Sequence, residues 1–394
     1  MKMLILKNAV VYTESEIHHN AYIKIERNQI AEIGSNDELG EVVGYEVIEL
    51  PESYKIIPGM IDVHIHGVNG ADTMDATPDA LDTMVTALPK EGTTSFLATT
   101  ITQSVEAIEA ALANVAAFTH RGQQSGKAEI LGIHLEGPFI NGIRAGAQPV
   151  QHVLNPSVEI MKKWKIISND MIRLVTLAPE QEDAHLLIAY LKQQGIISSI
   201  GHSDATFSEV EVAIKSGLSH VTHLYNQMRE FHHREPGVVG AALLKDELMV
   251  ELIVDGIHST KEAVKLAFRQ KTADRLVLIT DAMRAKCLKN GSYDLGGQQV
   301  TVDDGKAILA DGTLAGSTLK MGNAFQNIIA FTNCSVEESI KMTATNPAKE
   351  IGVFDRKGSL AAGKDADIVV LNEENEVEMT FCKGEIAYQK ERTV

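Results

Sequence analysis

Apolar and polar positions divide the chain into stretches of different rhythm. Near the N-terminus, Met3–Thr13, Tyr22–Gly34 and Glu46–Leu50 are rich in Val, Ile and Tyr and read as strands, with a turn at Asn28-Gln29. Near the C-terminus, Ala366–Leu371 and Glu378–Tyr388 are short β runs between polar turns. Neither end has enough apolar residues to fold alone. One small β-sandwich domain formed by both termini is therefore expected, since chain ends commonly lie close together.

The middle alternates continuous apolar runs with amphipathic stretches. The runs are Ile57–His64, Ser95–Thr100, Ile130–Glu136, Ile172–Ala178, Ile197–His202, His220–Leu224, Met249–Asp255 and Leu276–Asp281. Strands buried on both faces and separated by helices predict an α/β fold, a (β/α)8 TIM-type barrel. Helix starts are marked by Thr77-Pro78 and by the capping-box pairs Thr206…Glu209, Ser259…Glu262 and Ser335…Glu338. The Gly- and Asp-rich stretch Asp294–Ser317 reads as a β-type insertion after strand eight. The expected division is residues 1–56 and 351–394 for the two parts of the sandwich and 57–350 for the barrel. No repeat of 20–50 residues is present in the sequence, which sets solenoids aside.

Composition narrows the setting. Hydrophobic residues at 44% and charged residues at 23% are ordinary for a soluble globular protein. No apolar run approaches the roughly 18 residues that span a bilayer. The opening Met1–Asn8 is too short and interrupted for a secretory signal, so export is not expected. Cys287, Cys334 and Cys382 are odd in number and far apart, as in a reducing cytoplasm. With 53 acidic against 36 basic residues the net charge is −17, which repels nucleic acid and anionic membranes. An anionic substrate would need a local cluster of Arg and His.

The chemistry gathers where the apolar runs end. His64 and His66 close the first, Glu136 the third, His202 the fifth, His223 the sixth and Asp281 the eighth. Active sites of such barrels are built on that face. His64 and His66 are two apart on an extended chain, so their side chains point the same way. A lone histidine at a strand end is ordinarily hydrogen-bonded structure, and a lone Asp281 could cap a helix. Six such residues on five strands of one face point instead to a catalytic metal site for zinc, iron, manganese or cobalt.

These residues sit in segments that resemble a known family. Pro58-Gly59-Met60-Ile61-Asp62-Val63-His64-Ile65-His66-Gly67 is similar to the opening signature of the amidohydrolase superfamily. His134–Phe139, Gly201–Ala205, Thr222–Met228, Arg234–Gly237, Asp255–His258 and Leu314–Ser317 resemble, more narrowly, the N-acetylglucosamine-6-phosphate deacetylases within it. The resemblance runs from about residue 5 to 385. It implies that Glu136, His202 and His223 are the shared metal ligands, and that His64 and His66 add a second metal position with Glu136 bridging. Two divalent metals per subunit are implied. The carboxylated lysine of many superfamily relatives has no counterpart in Thr176-Leu177-Ala178-Pro179-Glu180.

The implied reaction is hydrolysis of the acetamide of N-acetylglucosamine 6-phosphate to glucosamine 6-phosphate and acetate. A metal-activated water is the nucleophile and Asp281 the general acid/base. His258 would contact substrate, and Leu314, Ala315 and Gly316 would offer backbone groups to the acyl end. Arg234 would grip the phosphate, helped by the backbone N–H groups of Asn226 and Gln227. In the family this arginine can reach across a subunit boundary, which implies a homodimer. Gln148 stands where many members carry a histidine, beside Ala147, whose backbone is implied to touch substrate. Two rivals stay open here: another amidohydrolase, dihydroorotase-like or adenine-deaminase-like, and a barrel that has lost catalysis and serves as a scaffold.

Overall fold

Eight parallel strands form the centre of the computed structural model, which describes residues 3–391. They are Met60–Ile65, Thr93–Thr100, Glu129–Glu136, Ile172–Leu177, Ile197–Ile200, His220–Val221, Met249–Ile253 and Leu276–Ile279, each paired with the next. The first and eighth meet at the mouth of the barrel. There the N–H of Asp281 donates to the carbonyl of His64 at 2.9 Å, and Ala282 bridges Ile65 in parallel register. Just below, Asp62 accepts the Thr280 hydroxyl at 2.5 Å and the backbone N–H groups of His64 and Thr280 at 3.3 Å each. A buried carboxylate thus staples the closing strands, and burial pushes its pKa up to about 6.

Helices cover the barrel, and most expected starts are present. Thr77 caps Pro78–Ala87, and full capping boxes open Phe207–Ser216 and Val336–Ile340. One differs: Thr260, not Ser259, caps Lys261–Lys271 by accepting the N–H of Ala263. The Asp255 carboxylate accepts the N–H groups of Ile257 and His258 and holds a turn there, so the helix begins later.

The two ends of the chain join in one continuous sheet. Lys55–Pro58 pairs antiparallel with Ile368–Leu371, Ile56 opposite Val370, and parallel with Met3–Tyr12. Ile17–Glu26 and Gln29–Ser35 extend one side, Val377–Cys382 and Glu385–Gln389 the other, and Glu46–Glu49 pairs with Met3–Tyr12. The sheet folds over a single core that includes Leu4, Leu6, Ile23, Ile25, Ile368 and Phe381. Two expectations shift. The run Ile57–His64 is split at Gly59, its first residues in the terminal sheet and the rest in the barrel. Thr94 packs against Gly59 so closely that a Cβ would lie 2.1 Å from its Oγ1. The second strand starts at Ile17, because the polar His18, His19 and Asn20 hide its alternation, and the turn falls at Arg27-Asn28.

After strand eight, Gly291–Leu295, Gln298–Asp303 and Lys306–Ile308 form a small antiparallel sheet, the expected insertion. Leu295, Val300 and Val302 pack on Ile101, Met283 and Ala315. The Gln103 amide donates to Gly296 O at 2.9 Å, and that of Gln298 to Ala147 O at 2.6 Å, which ties the insertion to the barrel rim. Among the described residues, no helix is long and apolar enough to cross a membrane.

Candidate metal centre

Three of the six strand-end residues share one backbone device. Strands five, six and eight stop at Ile200, Val221 and Ile279, and two residues beyond each stand His202, His223 and Asp281. Their φ angles are +49°, +33° and +48°. Left-handed backbone costs a residue with a Cβ on the order of 1–3 kcal/mol and persists where surrounding structure enforces it. It also ends the strand ladder, which is why these strands are shorter than their apolar runs. His64 lies inside strand one, His66 just past it, and Glu136 ends strand three.

The six side chains converge. Oε1 of Glu136 is 3.2 Å from Nε2 of both His202 and His223, whose Nε2 atoms are 3.0 Å apart. Oε2 of Glu136 is 3.2 Å from Nε2 of His66. Oδ1 of Asp281 is 3.3 Å from Nε2 of His66 and 3.4 Å from Nε2 of His64. Two ligand groups result, His64/His66/Asp281 and Glu136/His202/His223, all buried, with Glu136 touching both. Tetrahedral zinc with bonds of about 2.0–2.1 Å has ligand–ligand edges of about 3.3 Å. The observed 3.0–3.4 Å spacings match. Nε2 of His64 is buried without a hydrogen-bond partner. The donor set fits a divalent cation in each group.

The field agrees. Burial works against charge on His64 and His66, yet the carboxylates of Asp281 and Glu136 raise both pKa values, that of His66 to about 9. Burial would raise the pKa of Glu136, but His64 and the hydrogen bonds from His202 and His223 hold it well below the usual range. Asp281 is likewise lowered, against burial, by His64 and His66. The field that keeps protons on these imidazoles is the one a divalent cation would meet. On the far sides of the rings, Nδ1 of His202 bonds Arg144 O at 2.9 Å and Nδ1 of His64 bonds Glu251 Oε2 at 3.0 Å. Such outer partners fix ring orientation.

The amidohydrolase family profile matches residues 56–387. The chain belongs to the amidohydrolase family. It is a hydrolase acting on amide C–N bonds. This amidohydrolase is 49% identical over 386 residues to N-acetylglucosamine-6-phosphate deacetylase of Bacillus subtilis (strain 168), covering 98% of this chain and 97% of that protein. It is 44% identical over 387 residues to N-acetylglucosamine-6-phosphate deacetylase of Lysinibacillus sphaericus, covering 98% of each. The crystal structure of N-acetylglucosamine-6-phosphate deacetylase from Thermotoga maritima matches with a TM-score of 0.88 at 35% identity, over 98% of this chain and 100% of that one.

In this amidohydrolase a cavity opens over the ligand groups, bordered by His66, Glu136, His202, His223 and Asp281. Of the residues the sequence singled out for substrate, Ala147, Asn226, Gln227, His258, Leu314 and Gly316 border it as well. Ala315 does not: it is buried behind the wall, its N–H on Ala307 O at 3.0 Å. Arg234 does not either; it is exposed, with Nη1 2.8 Å from Nε2 of His233. The N–H of Asn226 is not available to a phosphate, because the turn after His223 directs it to His223 O at 3.0 Å.

Three further groups matter: Gln148, which the sequence marked only as a departure from the family's histidine, and Glu251 and His134, which the sequence reading passed over. The Gln148 amide donates to Oε2 of Glu136 at 2.7 Å. Glu251 supports His64, and the ring of His134 packs edge-on against that of His64 at 4.5 Å. Glu251 left a signal, a carboxylate in the middle of the apolar run Met249–Val254. Gln148 left a signal too, since it stands where many members carry a histidine, but the sequence did not show that its partner is Glu136.

Proposed function

We propose that this amidohydrolase removes the acetyl group of N-acetylglucosamine 6-phosphate, giving glucosamine 6-phosphate and acetate. The observation that carries the reading is that both ligand groups and the Asp281 carboxylate face one cavity. The substrate is supported by relatives named for it that align over 98% of the chain. Glu136, His202 and His223 would hold one divalent cation and His64, His66 and Glu136 a second, two per subunit, as zinc, iron, manganese or cobalt. Such cations, when bound, acidify water and polarise an amide carbonyl.

Asp281 stands at the junction and moves the proton. Its Oδ1 accepts a proton from the attacking water and delivers it to the amine nitrogen, which departs readily only once protonated. His258 is held by Asp255 at 2.7 Å and hydrogen-bonds the bound sugar derivative from the cavity wall. Leu314 and Gly316 wall the acyl end, and Ala147 contributes its backbone.

The described residues bordering the cavity include no Lys or Arg to meet a phosphate. Arg234 supplies that charge from the partner subunit of a homodimer, through a pair of parallel N–H bonds. An exposed apolar cleft beside the Arg234 loop, with Phe231, Leu244 and Leu266 on its walls, supports a dimer. Cytoplasmic residence is consistent with three free cysteines. The test is release of free amine by metal-reconstituted protein from N-acetylglucosamine with and without its 6-phosphate. Turnover of the phosphorylated sugar alone is expected. Equal turnover of both removes the phosphate site, and turnover of neither removes the reading.

A further inference from the structure

Glu251 lies on the seventh barrel strand, Met249–Ile253, fully buried among the groups under the metal centre. Its Oε2 accepts the Nδ1–H of His64 at 3.0 Å and the backbone N–H of His223 at 3.1 Å. One carboxylate oxygen therefore holds a residue from each ligand group, His64 from one and His223 from the other.

Each bond has a separate consequence. Glu251 holds the proton on Nδ1 of His64 and turns Nε2 toward Glu136 and Asp281, so a cation bound there would displace only the Nε2 proton and meet the tautomer a metal ligand needs. The N–H of His223 belongs to a residue at φ +33° beyond the end of strand six, outside the strand ladder, and a carboxylate is a strong acceptor for it. The supports are unequal, however. His64 has its Nδ1 oriented by Glu251 alone, whereas the segment after His223 is also tied by the N–H of Leu224 to the backbone carbonyl of Glu251 at 3.0 Å, a bond no side-chain substitution removes.

We propose that Glu251 is a positioning residue that couples the two metal positions, and that the position built on His64 and His66 depends on it far more than the position built on Glu136, His202 and His223. The inference rests on the two-metal reading above. The test counts zinc per subunit by emission spectrometry in full-length protein reconstituted with zinc alone, followed by release of that zinc to a competing chelator.

Wild type is expected to hold two ions, Glu251→Ala one, and Glu251→Gln two. The glutamine carbonyl restores both N–H bonds without the charge, so in Glu251→Gln the looser ion leaves at chelator concentrations 10- to 100-fold lower than in wild type. Circular dichroism shows which variants fold, and if Glu251→Ala does not, the Glu251→Gln release curve decides. Two ions held by either variant as firmly as by wild type overturn the proposal, as does loss of both ions from a folded Glu251→Ala. A single ion in wild type overturns the two-metal reading, and the proposal with it, before any variant is measured.

Discussion

Gln148 bridges Glu136 and the second barrel strand: its amide donates to Oε2 of Glu136 at 2.7 Å, and its carbonyl accepts the backbone N–H of Thr102, just beyond that strand, at 2.7 Å. Glu136 has one oxygen toward His202 and His223 and the other toward His66, so its carboxylate plane must not rotate. Gln148 is the brake on that rotation. Gln148→Leu keeps the volume and loses both bonds. It is expected to weaken metal binding 10- to 100-fold in a chelator competition, and to cost about 1–3 kcal/mol of stability because the Thr102 N–H is left buried and unpaired. Unchanged metal affinity would reduce Gln148 to filling space.

Asp281→Asn keeps an oxygen beside His64 and His66 but cannot carry a proton. Metal content and KM are expected to stay near wild type while kcat falls about 10²- to 10⁴-fold. Near-normal turnover would assign the proton transfer to another group. Loss of metal along with activity would make Asp281 chiefly a ligand.

The barrel was legible because parallel strands buried on both faces leave unbroken apolar runs, and the metal-centre candidates because those runs end in His64, Glu136, His202 and Asp281. What stayed hidden has physical causes. The left-handed φ of His202, His223 and Asp281 is imposed by tertiary packing, so the strands read two to three residues too long. Gly59 splits one apolar run between two sheets, and the Pro58-Gly59 pair that marks the division was read through as part of one strand. Gln148 and Thr102 are 46 residues apart and meet only when the barrel closes. Arg234 was recognisable by its neighbours in sequence, but its own fold leaves it on the surface.

That exposure makes a subunit-mixing experiment decisive. Arg234→Ala is expected to raise KM for the phosphorylated sugar, by several kcal/mol in kcat/KM if the charge pair is desolvated. If the arginine acts across the dimer, mixing Arg234→Ala subunits with Asp281→Asn subunits builds hybrids in which one site has both Asp281 and its partner's Arg234. Activity at low substrate concentration should then rise well above the sum of the two mutants as hybrids form. An arginine acting within its own subunit gives no recovery.

The join between barrel and terminal sheet should set an acid limit on stability. Glu129, at the start of strand three, takes both guanidinium nitrogens of Arg356 at 2.9 Å and the ammonium groups of Lys357 at 2.8 Å and Lys383 at 3.2 Å. Burial alone would raise its pKa, but the Arg356 hydrogen bonds and the Lys357 charge hold it at about 2. The folded value lies below the unfolded one of about 4.3, so this carboxylate stabilises the fold above pH ~4.3 and loses that contribution as pH falls toward 2. Arg356 is 36% exposed, which screens part of the interaction, so about 2 kcal/mol is expected rather than the full shift. Glu129→Gln should therefore lower the urea midpoint at pH 7 and approach wild type near pH 2, with the active-site carboxylates titrating equally in both proteins. A gap between the two curves that does not change with pH would mean that Glu129 acts through packing and not through its charge.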